Sequence, residues 1–137
     1  MKQLAKYGSL QGKRVFITGG GSGIGESLVA EFAAQGALVA FVDVAVEASE
    51  ALCRRLAEAG LAAPLFRHCD ITDIASLQAV MAELAEKLGD FDILVNNAGI
   101  YGPEDFYTTD DETWNNYWQT NVMSGVRLSR ALLPGMV

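Results

Sequence analysis

The sequence contains few of the residues that form disulfide frameworks or metal sites. Its 137 residues include two cysteines and one histidine. Cys53 and Cys69 lie far apart, with neither a C-x-x-C pair nor the spacing of metal ligands. We therefore expect both to be buried thiols of a reducing compartment, and we expect no bound metal. His68 is not expected to be catalytic, because no constellation of Ser, Cys and Asp accompanies it in the sequence.

Basic residues and long apolar runs are also scarce. The chain has 10 lysines and arginines against 17 aspartates and glutamates, and its formal net charge of −7 would repel the phosphates of nucleic acids and anionic membranes. Its apolar runs are far shorter than a membrane-spanning helix, and the polar residues 1–12 lack the apolar core of a signal peptide. We therefore expect a cytoplasmic protein with neither a nucleic-acid nor a membrane partner, whose residues 1–137 form a single domain.

Glycine, by contrast, is concentrated in one stretch, residues 18–25, which read T-G-G-G-S-G-I-G. The apolar residues 15–17 before it predict a buried strand, and the helical spacing of apolar residues 27–34 predicts a helix after it. Glycines let the backbone approach a ligand closely, and the free amides at a helix start attract phosphate. The stretch thus predicts a pyrophosphate-binding turn, with a glycine-rich surface loop as the alternative.

The spacing of these glycines discriminates between nucleotide-binding folds. Glu26 stands where a phosphate loop of the NTPase type needs lysine, and the G-x-G-x-x-G pattern does not fit in this register. The pattern that fits is T-G-x-x-x-G-x-G, with Gly19, Gly23 and Gly25 as its glycines. It resembles that of the short-chain dehydrogenase/reductase family, in the single-domain branch. The extended branch would need glycine at Ser22.

The order of the elements is typical of an α/β protein. Strands are predicted at about residues 14–18, 38–42, 64–69 and 92–95, after a loose arm over residues 1–13. Helices are predicted at about 23–35, 46–59, from 70–73 to 88, and 110–133 with a bend near Asn121. Strands that are apolar on both faces belong to a parallel sheet covered by helices on both sides. We expect a doubly wound, Rossmann-like sheet with strand one near the switch point, incomplete at the strand-four edge.

Asp43 ends the second strand, about 20 residues past the glycines, where a carboxylate can bind both ribose hydroxyls. A 2′-phosphate would meet that carboxylate at close range, and neither Ser22 nor Val44 is basic. The sequence therefore predicts NAD as the cofactor in preference to NADP. The alternative is an aspartate that merely favours the turn after a strand.

Three further positions match the family's motifs. Residues 96–99 read N-N-A-G after the fourth strand, where amide side chains can tie the strand end to neighbouring backbone and small residues leave room for the cofactor. The resemblance places Asp70 and Ile71 near the adenine, although Asp70 could instead cap the helix that follows. It also makes Asn121 an active-site residue, whose backbone carbonyl holds a water linked to the catalytic lysine.

The resemblance implies one set of cofactor contacts and one catalytic residue. The catalytic residue is Asn121. The predicted cofactor contacts are Gly19, Gly21, Ser22, Gly23, Ile24, Gly25, Asp43, Asp70, Ile71, Asn97, Ala98 and Gly99. The resemblance also implies a small-molecule alcohol or carbonyl substrate and a homo-oligomer, dimer or tetramer, since the second half of the last helix lies in a dimer interface in relatives.

The family's catalytic Ser and its Tyr-x-x-x-Lys pair have no counterpart within these residues. The tyrosines are Tyr7, Tyr101, Tyr107 and Tyr117, and none has lysine four positions later. We therefore expect the chain to supply the cofactor-binding half of a longer NAD-dependent oxidoreductase and to be inactive alone. A non-catalytic NAD-binding module or sensor is the alternative. A methyltransferase is a third interpretation, which the N-N-A-G turn disfavours.

Overall fold

A parallel β-sheet forms the centre of the fold in the computed structural model, which describes residues 5–137. The strands are β1 (Arg14–Thr18), β2 (Leu38–Asp43), β3 (Leu65–His68) and β4 (Ile93–Val95). The helices are α1 (Gly23–Ala34), α2 (Val46–Glu58), α3 (Ile74–Leu88), α4 (Asp111–Trp118) and α5 (Ser124–Met136). A π-helical turn, Gln119–Met123, joins α4 to α5, and a short 3₁₀ turn, Gly8–Leu10, precedes β1.

The strand order β3-β2-β1-β4 confirms the predicted doubly wound sheet. The chain moves outward from β1 to β3 and then crosses to β4 on the other side of β1. Phe16 of β1 accordingly lies opposite Ala40 of β2 on one side and Leu94 of β4 on the other. The direction of winding therefore changes between β1 and β4, and a crevice opens at the carboxyl ends of these strands.

Alternate residues of each strand enter two separate apolar cores. Phe16 and Val42 pack towards α3 and α5, in a cluster that includes Leu84 and Leu128. Val15, Ile17 and Phe41 pack towards α1 and α2, in a cluster that includes Val29 and Leu52. Both faces of β1 and β2 are therefore buried, which explains why these strands read as unbroken apolar runs.

The sheet is incomplete at β4, as the sequence predicted. Among residues 5–137, β4 pairs with β1 alone, and its residues 93–95 are only partly buried. None of the helices described over this range is long and apolar enough to cross a membrane.

The predicted loose arm is wrong for residues 5–13, whereas residues 1–4 lie outside the described part of the chain. The side-chain amide of Gln35, at the end of α1, accepts a hydrogen bond from the Tyr7 N–H and donates one to the Ala5 carbonyl, each 2.8 Å long. This two-way contact attaches residues 5–7 to the C-cap of α1.

Candidate functional site

A cavity of about 970 Å³ lies at the carboxyl ends of the strands, at the switch point between β1 and β4. It gathers residues from the loops that follow the four strands, from α4 and from the π-helical turn. Of the residues predicted from the sequence, those on its wall are Gly19, Ser22, Gly23, Ile24, Gly25, Asp43, Asp70, Ile71, Asn97, Ala98, Gly99 and Asn121. Gly21 is the exception. His68 does not line the cavity.

The glycine-rich turn leads directly into α1. The Gly19 N–H donates to the Val42 carbonyl at 2.8 Å, which holds the turn against β2. A Cβ on Gly25 would collide with the carbonyl oxygen of Gly19, so glycine is required where α1 passes behind the turn. Ser22 is the N-cap of α1, but its side chain caps no helix amide. The first N–H groups of α1 therefore have no side-chain partner and can bind an anion.

Asp43 is held by two backbone amides. Its Oδ2 accepts a hydrogen bond from the Gly21 N–H and its Oδ1 accepts one from the Ala45 N–H, both at 2.8 Å. Gly21 lies behind the wall because Asp43 and Ser49 pack against its Cα, and a Cβ there would collide with the Ser49 hydroxyl. Gly21 thus orients the carboxylate that faces the cavity, whereas the sequence predicted it as a cofactor contact itself.

Asp70 does not cap the following helix. Asp73 does so, accepting a hydrogen bond from the Ser76 N–H at 3.1 Å, and α3 therefore begins at Ile74 rather than at 70–73. Asp70 instead accepts hydrogen bonds from the Thr72 hydroxyl at 2.7 Å and the Thr72 N–H at 2.9 Å. These bonds lower the pKa of Asp70, so the carboxylate on this wall stays ionised.

Asn97 ties β4 to the glycine-rich turn. Its side-chain amide donates to the carbonyls of Thr18 and Gly19, both at 3.1 Å. The Thr18 hydroxyl in turn accepts the backbone N–H groups of Asn97 and Ala98, at 3.1 and 2.9 Å. The structure thus shows the amide-to-backbone link that the N-N-A-G turn indicated. Thr18, which does not line the cavity, is the other partner in this link.

Asn121 lies within the π-helical turn, where the sequence predicted a bend. Its side chain forms a two-way contact with Ile100, accepting from the Ile100 N–H at 2.8 Å and donating to the Ile100 carbonyl at 2.9 Å. The π-helical turn and the loop after β4 are thereby fixed to each other at the cavity rim. Such turns within α-helices are frequent at functional sites.

Several wall residues were not predicted from the sequence. Tyr101 is almost fully exposed at the rim, while Asn116 and Thr120 lie four residues apart and present one polar helix face to the cavity. Cys69 also belongs to the wall. Cys69 is buried as expected, and burial raises its pKa, so it stays a neutral thiol. Cys53 is only partly buried, so the expectation of a buried thiol is wrong there.

The wall carries negative but no positive charge. Asp43 and Asp70 are acidic, and none of the residues within 5–137 that line the cavity is lysine, arginine or histidine. Bound phosphates would therefore have to be held by backbone amides and the α1 dipole rather than by a basic side chain.

Comparisons with known proteins agree on one family. A family model described as short chain dehydrogenase matches residues 13–137. D-xylose 1-dehydrogenase of Caulobacter vibrioides is 44% identical over 136 residues, covering 96% of this chain and 51% of that protein. The 3-oxoacyl-acyl-carrier-protein reductase of Haemophilus influenzae is 34% identical over 128 residues, covering 93% of this chain and 51% of that protein.

Solved structures give the same result. The L-sorbose reductase of Gluconobacter frateurii, complexed with NADPH and L-sorbose, superposes with a TM-score of 0.87 at 37% identity, covering 93% of this chain and 48% of that one. The chain spans about half the length of the curated relatives it matches.

Proposed function

The chain belongs to the short-chain dehydrogenase family, and from this we propose that it forms the cofactor-binding half of an NAD-dependent oxidoreductase acting on an alcohol or ketone. The observation that carries the proposal is the cavity at the switch point, where the uncapped start of α1, Asp43 and the Asn97 loop meet. A bound nicotinamide would supply the hydride acceptor or donor. The residues described above would bind and orient it.

The shape of the glycine-rich turn supports a pyrophosphate at the start of α1. A Cβ on Gly19 would lie 3.0 Å from the Ala98 Cα, so glycine allows the turn to pack closely against the Asn97 loop at the cavity. The Ser22 side chain caps no amide of α1, which leaves N–H groups for phosphate oxygens. These features fit a dinucleotide, whose phosphates could be bound here by backbone amides without a basic side chain.

The position of Asp43 supports NAD over NADP. Its carboxylate is fixed by the Gly21 and Ala45 amides and cannot turn away from a ligand without losing two hydrogen bonds. Ribose hydroxyls can donate to it, whereas a 2′-phosphate would repel it. The L-sorbose reductase contains NADPH, so membership of the family leaves the choice of cofactor to such local residues.

The substrate class that we propose is a sugar or related polyol. The support is the similarity to a D-xylose dehydrogenase and an L-sorbose reductase, while the similarity to an acyl reductase makes a 3-oxoacyl thioester the alternative. The catalytic Ser and Tyr-x-x-x-Lys pair would come from residues outside this chain. We further propose a cytoplasmic location and a homo-oligomer, dimer or tetramer, in line with the sequence interpretation.

Titration with NADH and NADPH, followed by nicotinamide fluorescence, tests the proposal. We expect NADH to bind at least about tenfold more tightly, the ratio that corresponds to about 1.4 kcal/mol. Asp43→Ala should narrow that ratio. Glu58→Ala, which removes an equal charge from the exposed far end of α2, should leave it unchanged.

Failure to bind NADH at millimolar concentration would refute the whole proposal. Tighter binding of NADPH would refute the NAD preference alone. Binding without turnover of any sugar, alcohol or acyl substrate by the longest natural form of the protein would favour the non-catalytic module.

A further inference from the structure

Ser49 is a fully buried polar residue on the face of α2 that packs against the sheet, where the other buried residues, Leu52 and Leu56, are apolar. Its hydroxyl donates to the Ala45 carbonyl at 2.7 Å. The same carbonyl already accepts the Ser49 N–H at 3.1 Å, as the first hydrogen bond of the helix. The hydroxyl is therefore not needed to satisfy that carbonyl, and alanine would suit the helix at least as well.

The Ser49 hydroxyl lies directly behind Gly21 of the glycine-rich turn. Gly19 and Gly23 in the same turn have positive φ angles, whereas Gly21 does not, so its backbone conformation would accept alanine. A Cβ on Gly21 would nevertheless collide with the Ser49 hydroxyl. That hydroxyl cannot turn away without losing its buried hydrogen bond to Ala45. The space left by Ser49, and not the backbone conformation, thus requires glycine at position 21.

Gly21 and Ala45 are also the two residues whose backbone amides hold Asp43. Their N–H groups donate to Oδ2 and Oδ1 of the carboxylate, each at 2.8 Å. Ser49 contacts both donors, since it packs behind Gly21 and donates to the carbonyl of Ala45. It therefore fixes the spacing between the glycine-rich turn and the start of α2. Each carboxylate oxygen has two lone pairs, so each keeps one for a ribose hydroxyl.

Given the proposed preference for NAD, we propose that Ser49 is a positioning residue for cofactor choice, which holds the two amides that aim Asp43 at the ribose. Asp43 lines the cofactor cavity and Ser49 does not, so Ser49 acts on the cofactor only through Asp43. Hydrogen bonds weaken steeply as their geometry departs from the ideal, and charge repulsion falls with distance. A displaced carboxylate therefore binds NADH less tightly and repels the 2′-phosphate of NADPH less.

A role in packing alone predicts a different result. If Ser49 only filled space, enlarging it would destabilise the fold, because extra methyl groups in a packed interior force neighbours apart. The loss of folded protein would lower the apparent affinities for NADH and NADPH equally. The ratio of the two dissociation constants therefore separates positioning from packing.

Titration of the longest natural form of the protein with NADH and NADPH, followed by nicotinamide fluorescence, makes this comparison. Ser49→Val replaces the hydroxyl by a methyl group and adds a second one behind Gly21. We expect the preference for NADH over NADPH to fall at least about threefold. Leu52→Val, a packing change on the same buried face of α2, should lower the midpoint of urea unfolding but keep the preference.

A double-mutant cycle tests the contact between Gly21 and Ser49 directly. Gly21→Ala alone should weaken NADH binding at least about tenfold, whereas in a Ser49→Ala background, which lacks the hydroxyl, it should cost at most about threefold. Recovery should be partial, because the new methyl group still lies 3.0 Å from the Asp43 carboxylate. In a Leu52→Val background the loss should remain at about tenfold, since the Ser49 hydroxyl is retained.

An unchanged preference in Ser49→Val, or equal losses from Gly21→Ala in the wild-type and Ser49→Ala backgrounds, would overturn the proposal. Equal narrowing of the preference in Leu52→Val would also overturn it, because any loosening of α2 would then suffice. A wild type without preference for NADH would refute the choice of NAD separately. Amide hydrogen exchange over residues 19–25 still reports on Ser49 in that case. It should be faster in Ser49→Val than in Leu52→Val, and equal rates would show that Ser49 does not hold the turn.

Discussion

Thr18 and Asn97 are joined by two hydrogen bonds of 3.1 Å, from the Asn97 N–H to the Thr18 hydroxyl and from the Asn97 side-chain amide to the Thr18 carbonyl. They connect the carboxyl ends of β1 and β4 at the switch point. The same hydroxyl accepts the Ala98 N–H at 2.9 Å. One buried side chain, 2% exposed, thus fixes the relative position of the glycine-rich turn and the loop after β4.

Thr18→Val should destabilise the protein. Valine keeps the shape of threonine but leaves the Ala98 N–H without its acceptor, whereas the Asn97 N–H keeps its 3.0 Å hydrogen bond to the Val95 carbonyl. Leaving this partly buried donor unsatisfied should cost at most about 1–3 kcal/mol, which should appear as a lower midpoint of urea unfolding with an unchanged slope. NADH binding should weaken as well, because the two loops that line the cavity lose their connection.

The matched control is Thr18→Ser, which keeps the acceptor and loses only a methyl group. It should retain most of the NADH affinity. If Thr18→Ser and Thr18→Val lowered stability and NADH affinity equally, packing at this position would matter rather than hydrogen bonding.

Gly25→Ala should abolish cofactor binding. The added methyl group would collide with the Gly19 carbonyl oxygen and lie 2.7 Å from the Asn97 side-chain nitrogen. Because the Gly19 carbonyl belongs to the backbone, it can make room for the methyl group only if α1 and the turn separate. The N–H groups at the start of α1 would then no longer face the cavity. We expect at least about a hundredfold loss of NADH affinity, which is about 2.7 kcal/mol.

Gly8→Ala is the control for this change. No atom lies within 4 Å of a Cβ at Gly8, so NADH affinity and stability should stay at the wild-type level. Normal NADH binding by Gly25→Ala would show that the dinucleotide does not use the start of α1.

The strands and the glycine-rich turn could be predicted because their signals are local. Val15 to Ile17 form an unbroken apolar run, and the spacing of Gly19, Gly23 and Gly25 is a pattern within eight residues. The bend near Asn121 was predicted, but its π-helical form was not, because nothing in the local pattern distinguishes it from an α-helical kink.

Other features depend on contacts between distant segments. Gly21 points its amide at Asp43 because α2 packs Ser49 behind it, 28 positions along the chain. The cavity-facing position of Asn116 depends on how α4 crosses the end of the sheet. The attachment of residues 5–13 to Gln35 joins side chain and backbone about 30 residues apart. No local sequence pattern reports such pairings, so the sequence did not indicate these contacts.

The two ion pairs of Glu83, one with Arg67 of β3 and one with Lys87 within α3, should make stability depend on pH. The Arg67 guanidinium lies 2.7 Å from Glu83 Oε1, and the Lys87 ammonium lies 3.2 Å from the same oxygen. Hydrogen bonds from Arg67 and Lys87 lower the pKa of Glu83 to about 2, from the usual 4.5. Since the folded pKa is the lower one, this carboxylate stabilises the fold above about pH 4.5, and the stabilisation is lost as the pH falls towards 2.

Glu83→Gln removes the titrating group, so the variant should be less stable than the wild type at pH 7 and should differ little from it near pH 2. Urea unfolding at several pH values measures the difference directly. Glu86→Gln, at an exposed position on the same helix, controls for the change in net charge. Its stability should change with pH in the same way as that of the wild type. High salt should reduce the Glu83 effect at neutral pH, because the pair is partly exposed and screened. The free energies of unfolding of the wild type and Glu83→Gln could instead differ by the same amount from pH 7 to pH 2. That result would mean that the glutamine disturbs packing and that the ion pairs contribute nothing measurable.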